Sequence, residues 1–268
     1  MFRGFDLRML GNWTKKDYES LYNAGSTILA NHKTVIKDTL DNLVLKDGSL
    51  DGTIMQQQWF PKVEADLFIS HSHNDKDMAI ILAGWLDTNL KVKAFIDSTV
   101  WSYCGDLLKI LDDKYRSSDK PGVYNYNLRN MSTSHVYLML SSALQRMIDN
   151  TECIFFLNTP QSVNPNGVIG STSTYSPWIY SEITTTQLIR KKNPKDHLTR
   201  TKKSIKTFSD GGNELLKESL NISHSLDLRH LTKIDCDKSF LSQWMAKAKY
   251  YSYALDALYD MYQIDGKT

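Results

Sequence analysis

The sequence predicts an α/β fold, a central parallel sheet with helices on both faces, plus a mostly helical N-terminal extension. Three observations predict it. Short apolar runs without a helical period alternate with segments whose apolar residues recur every three or four positions, as strands joined by crossover helices do. The run Cys153-Ile154-Phe155-Phe156-Leu157 is apolar throughout, which suits a central strand buried on both faces. Polar, turn-forming segments follow the predicted strands, so loops gather at the carboxyl ends of the sheet, where ligands bind in such folds.

Residues 1–60 read as the extension. Thr14 precedes Lys15-Lys16-Asp17-Tyr18-Glu19, a helix start continued by Leu21, Ile28 and Leu29. A second helical stretch spans His32 to Leu43, and Lys46 to Gly52 is turn-rich, as a linker would be. Residues 61–268 form the main domain. Asp66-Leu67-Phe68-Ile69-Ser70 is its first strand, and Ser70 to Asp75 is a polar turn in which Asn74 or Asp75 caps the next helix. That helix runs to about Leu90, with Met78, Ile81, Leu82, Trp85 and Leu86 on one face. Val92 to Asp97 is the second strand, Ser98 to Gly105 a loop, and Asp106 to Arg116 a short helix.

His135 to Asp149 is an amphipathic helix leading to the third strand at Cys153. A long loop then ends in Ser176-Pro177-Trp178, a serine cap with proline at the first helical position. Ile205 to Phe208 is a weak strand, Leu226 to Arg229 an edge strand, and Ser239 to Tyr262 one long terminal helix.

The composition excludes several classes. The chain has 268 residues, 41% hydrophobic and 23% charged, with a net charge of +2. That balance gives no reason to expect nucleic acid as a ligand. Cys104, Cys153 and Cys236 are widely spaced and form no zinc or redox motif. No apolar stretch suits a signal core or a membrane span, so the expected compartment is the cytoplasm. Motifs of dinucleotide-binding dehydrogenases, P-loop enzymes, zinc peptidases and serine hydrolases are absent from the sequence.

Three groups can carry chemistry. Ser70, His71, Ser72, His73 and Asn74 sit at a strand end and a helix start, where backbone N–H groups favour phosphate; the same residues also suit a capping loop. Trp178 and Glu182 lie four apart and share a helix face. A ring beside a carboxylate can stack on a heterocycle while the carboxylate stabilises positive charge at an anomeric carbon; a core tryptophan beside a dipole-compensating glutamate is the alternative. Asp97 ends the second strand, where it can cap a turn or contact a ribose, and Trp101 lies in the apolar loop that follows.

In this order the segments resemble the TIR (Toll/interleukin-1 receptor) domain. Ala65-Asp66-Leu67-Phe68-Ile69-Ser70-His71-Ser72 looks like its first strand and loop, Lys93 to Asp97 like its second strand, and Ser98 to Gly105 like its BB loop. Ser176-Pro177-Trp178-Ile179-Tyr180-Ser181-Glu182 is similar to its Ser-x-Trp-x-x-x-Glu segment. The resemblance covers about 65–265 and implies a flavodoxin-like three-layer fold. It also implies cleavage of NAD⁺ as substrate, with no cofactor and no metal, by an NAD⁺ glycohydrolase or ADP-ribosyl cyclase.

Glu182 would be catalytic. Phe68, Ser70, His71, Ser72, Asp97, Trp101 and Trp178 would bind substrate. Products would be nicotinamide and ADP-ribose, or a cyclised ADP-ribose. TIR proteins of this size resemble components of bacterial anti-phage systems such as Thoeris. That implies self-association, a nucleotide signal and a separate effector that senses it. A non-catalytic, self-associating TIR scaffold and a nucleoside deoxyribosyltransferase are the competing readings. The stretch from Ser117 to Thr133, the loop from Pro160 to Tyr175 and residues 1–60 exceed a minimal TIR domain.

Overall fold

A computed structural model describes residues 1–11, 13–32, 44–46, 49–96, 98–115, 126–165, 172–197, 200 and 223–263; for residues 31–32, 98–103, 115 and 165 it gives the backbone alone. In chain order the strands are β1 (Arg3–Met9), β2 (Leu67–Ser70), β3 (Ala94–Ile96), β4 (Cys153–Asn158), β5 (Asn164–Pro165), β6 (Thr172–Thr174), β7 (His224–Leu226) and β8 (Thr232–Cys236). The helices are α1 (Glu19–His32), α2 (Gly52–Trp59), α3 (Lys76–Trp85), α4 (Ser98–Tyr115), α5 (Tyr126–Asn150), α6 (Pro177–Leu188), α7 (Lys238–Ala248) and α8 (Ala254–Met261).

The central sheet has the order β3-β2-β4-β1-β8, and every neighbouring pair is parallel. From β2 the chain crosses outward to β3 and then returns past β2 to β4. The connection leaving β2 runs to β3 and the one leaving β4 runs on to β8 at the opposite edge, so a crevice is expected beyond the carboxyl ends of β2 and β4, at Ser70.

The pleat divides the core between two faces. Phe5, Leu7, Leu67, Ile69, Phe155, Leu157 and Ile234 point to one face, covered by α1, α3, α7 and α8. Phe68, Phe95 and Ile154 point to the other, covered by α2, α4 and α5. Phe156, on that second face, packs with Ile179 and Ile183 of α6 and Leu226 of β7. A small antiparallel sheet, β5-β6-β7, flanks α6.

Several expectations need correction. Residues 1–60 are not an appended helical piece, because β1 lies inside the central sheet between β4 and β8. Its helix α1 is fused tightly to α3. A Cβ on Gly25 would fall 1.9 Å from the Ile80 carbonyl oxygen, and one on Gly84 1.9 Å from that of Leu21. Only glycine permits such backbone approach. The turn-rich linker leads directly into α2, whose cap Asp51 accepts from the Thr53 and Ile54 N–H groups.

Ser98 to Gly105 is not a loop but the start of α4, because Cys104, Leu107 and Leu111 form a helical stripe buried against α5. Part of the stretch 117–133 is helical too, since α5 begins at Tyr126. The last strand of the central sheet is β8, whereas the expected edge strand near Leu226 belongs to the small sheet. The long terminal helix is two, α7 and α8. The second helical stretch beyond His32 and the weak strand at 205–208 lie outside the described residues.

Candidate active site

Ser70 ends β2 at the switch point, and the pleat turns its side chain toward α6. That helix starts where the sequence predicted. Ser176 caps it by accepting from the Ile179 N–H, and Pro177 occupies the first turn. Glu182 follows about one and a half turns later and reaches back over the sheet. The Ser70 Oγ donates to Glu182 Oε2 at 2.6 Å, joining residues 112 apart in sequence. Both residues are buried, Glu182 at 1% exposure and Ser70 at 0%.

The other predicted residues divide. Phe68 lies two residues before Ser70 on the same face, fully buried and tilted against Phe95 at 5.4 Å. It supports the floor rather than presenting a free ring. His71 is buried beside Ser70, with Nδ1 3.4 Å from the Ile69 carbonyl. Trp178 is half-buried and meets Tyr137 of α5 edge to face, at 5.8 Å and 68°. Trp101 lies in α4, its side chain outside the described residues, and Asp97 lies outside them altogether.

Ser72 is engaged within the protein. Its hydroxyl donates to Asp75 Oδ2 at 2.7 Å, and Thr159 Oγ1 donates to the same oxygen at 2.6 Å. Asp75 occupies the cap position of α3 without a side-chain cap bond. Its carboxylate instead clamps the loop after β2 to the loop after β4. Ser162 closes that second loop, accepting from the Thr159 N–H and donating to the Leu157 carbonyl. The loop that carries Ser70 is therefore fixed from below.

A second carboxylate, Asp6, lies on the same face of the sheet as Ser70. The register aligns Ser70 and Asp6 with Phe156 from either side. Ser70 and Asp6 thus sit two strand spacings apart, about 10 Å between Cα atoms, on the face that α6 covers. Asp6 is 2% exposed, and Asn158 Nδ2 donates to its Oδ1 at 2.8 Å. Burial pushes its carboxyl above the ordinary aspartate range, against the pull of Asn158. In the sequence it holds the polar phase of an alternating strand, between Phe5 and Leu7, which does not distinguish it from a solvent-facing acid.

Among the described residues no three His, Cys, Asp or Glu side chains are placed to hold a metal ion, and no helix is long and apolar enough to cross a membrane. Compared with models of known families, with curated proteins and with solved structures, the chain matches none of them. The structure shows an α/β protein with a five-stranded parallel sheet, and a buried serine–glutamate pair at its switch point.

Proposed function

We propose that the protein is a TIR-type NAD⁺ nucleosidase or cyclase with Glu182 as its catalytic carboxylate. The observation that carries the reading is the Ser70–Glu182 hydrogen bond beyond the carboxyl end of β2. Strand order adds support. With β1 set aside, β3-β2-β4 reproduces the 2-1-3 start of a flavodoxin-like sheet, while β1 and β8 take the remaining two places.

In this reading the bond between nicotinamide nitrogen and ribose C1′ breaks, and its electron pair leaves with neutral nicotinamide. The Glu182 carboxylate stabilises the oxocarbenium-like C1′. Water then attacks C1′ and gives ADP-ribose and a proton; attack by another atom of the ADP-ribose half gives a cyclic product. Ser70 orients Glu182 and can pass its hydrogen bond to a substrate hydroxyl. Trp178 would flank the nicotinamide, with Tyr137 behind it. No metal or cofactor enters the scheme. In the cell this reading extends to a cytoplasmic, self-associating enzyme whose product signals to a separate effector in anti-phage defence.

One observation favours a second reading, a non-catalytic TIR scaffold. Glu182 is 1% exposed, so catalysis requires a rearrangement that uncovers it. The test is incubation of the purified protein with NAD⁺ at low and high protein concentration, alongside Glu182→Gln, with products separated by chromatography and mass. We expect nicotinamide release that falls about 10²- to 10³-fold in the variant. Equal release from both proteins removes Glu182 from the mechanism. A wild type silent at every concentration favours the scaffold.

A further inference from the structure

We propose that a cleft between α2 and α5, on the sheet face of Phe68 but lined by other residues, binds a small aromatic carboxylate. The cleft holds about 200 Å³, below the usual range for drug-sized ligands, which restricts the occupant to a small molecule. Trp59, Phe60, Phe95 and Met147 supply its walls, and Lys62 and Arg146 stand at its rim. Rings on several sides suit a flat aromatic guest.

The charge pattern selects an anion. No carboxylate is among the described residues that line the cleft. Lys62 and Arg146 are exposed and have no ion-pair partner among the described residues. The nearby acid on α5, Asp149, is already held by the Lys192 Nζ at 2.5 Å. A third feature points the same way. Trp59 is 4% exposed, and its Nε1 has no acceptor among the described residues. A buried donor without an acceptor is costly, and a carboxylate oxygen toward which the indole turns would supply one. One anion would thus answer two cations and an N–H that have no partner among the described residues, while its ring fills the apolar space.

The site stands apart from Ser70 and Glu182, so the inference does not rest on NAD⁺ cleavage. The two are nonetheless joined by packing. Phe95 lines the cleft and touches Phe68, two residues before Ser70. A guest against Phe95 would press on the floor of the candidate active site.

The test uses benzoate, phenylacetate and indole-3-acetate with the full chain, by titration calorimetry and saturation-transfer NMR. The matching neutral amides serve as controls, and the Lys62→Gln/Arg146→Gln double variant and Trp59→Phe as the altered proteins. We expect saturable binding of at least one acid, about tenfold weaker for its amide and for the double variant. The double variant should melt at the wild-type temperature, since both side chains are exposed. Trp59→Phe should weaken the acid more than the amide. The proposal is overturned if no acid binds at millimolar concentration, if acid and amide bind alike, or if the double variant binds unchanged. It also falls if sedimentation shows wild-type self-association that the double variant abolishes, because the cleft is then a protein contact.

Discussion

The two poles of the sheet each bury a glutamate, and they hold it differently. At the carboxyl pole, Glu182 Oε2 receives the hydroxyl of Ser70, a small neutral donor that can rotate. At the amino pole, Glu152 lies just before β4 at 2% exposure and is locked on both oxygens. Arg200 Nε donates to Oε2 at 2.7 Å, its Nη2 to Oε1 at 2.6 Å, and the Tyr259 hydroxyl to Oε1 at 2.9 Å. Arg200 also engages Asp256 on α8. Burial pushes the Glu152 carboxyl up, and Arg200 and Tyr259 pull it back. One glutamate is thus built into a network that ties α8 to the sheet, while the other accepts at Oε2 from a hydroxyl that, in the proposed reading, yields to a substrate. Burial alone therefore does not distinguish the two carboxylates.

Breaking the amino pole should have the largest effect on stability. Arg200→Leu leaves Glu152 buried without its cation, at a cost of about 3–5 kcal/mol. Urea denaturation of the variant measures that loss. Adding Glu152→Gln to it should recover part of the stability, because the stranded charge is then gone. If Arg200→Leu unfolds at the wild-type denaturant concentration, the two poles are not different in kind.

The carboxyl pole should lose less stability and show its effect in turnover. Ser70→Ala removes a donor from a buried carboxylate, for about 1–3 kcal/mol. Its effect on NAD⁺ turnover should be smaller than that of Glu182→Gln, since the carboxylate itself remains. Turnover of the serine variant below that of the glutamine variant would move the chemistry from Glu182 to Ser70.

The difference between the poles also explains what could be read from sequence. The Ser176-Pro177 start, the spacing of Trp178 and Glu182, and the apolar runs of β2 and β4 are local signals, and the structure keeps all of them. The strands β1 and β8 were invisible because each alternates. Phe5 and Leu7 face inward while Asp6 and Arg8 interrupt them, and Ile234 and Cys236 are buried between exposed Lys233 and Asp235. A search for continuous apolar runs passes over such strands.

The clamp of Asp75 by Ser72 and Thr159, the alignment of Asp6 with Ser70, and the Glu152–Arg200 network pair residues far apart in the chain. No spacing rule reaches them. The break between α7 and α8 falls in Lys249-Tyr250-Tyr251-Ser252-Tyr253, which carries neither proline nor glycine to announce it.

Acid should separate the poles most finely. Beside the Glu152 network, His197 is 2% exposed, and burial lowers its pKa to about 4. The Met1 ammonium and Lys192 repel its charged form further. The Met1 amine is itself lowered to about 6, chiefly by burial. Both folded values lie below the unfolded ones, so the fold favours the neutral forms. That stabilisation is complete above the unfolded pKa values and is lost as pH falls through the folded ones. Asp6 and Glu152 act in the opposite sense. Their raised values give stability that is complete below the unfolded pKa and lost as pH rises through the folded pKa. Between pH 6.5 and 4 His197 should therefore add a destabilising slope of up to about 1.4 kcal/mol per pH unit. Urea midpoints of wild type and His197→Gln at pH 7, 6, 5 and 4.5 should converge as pH falls. Parallel midpoints across that range would place the acid-sensitive groups elsewhere.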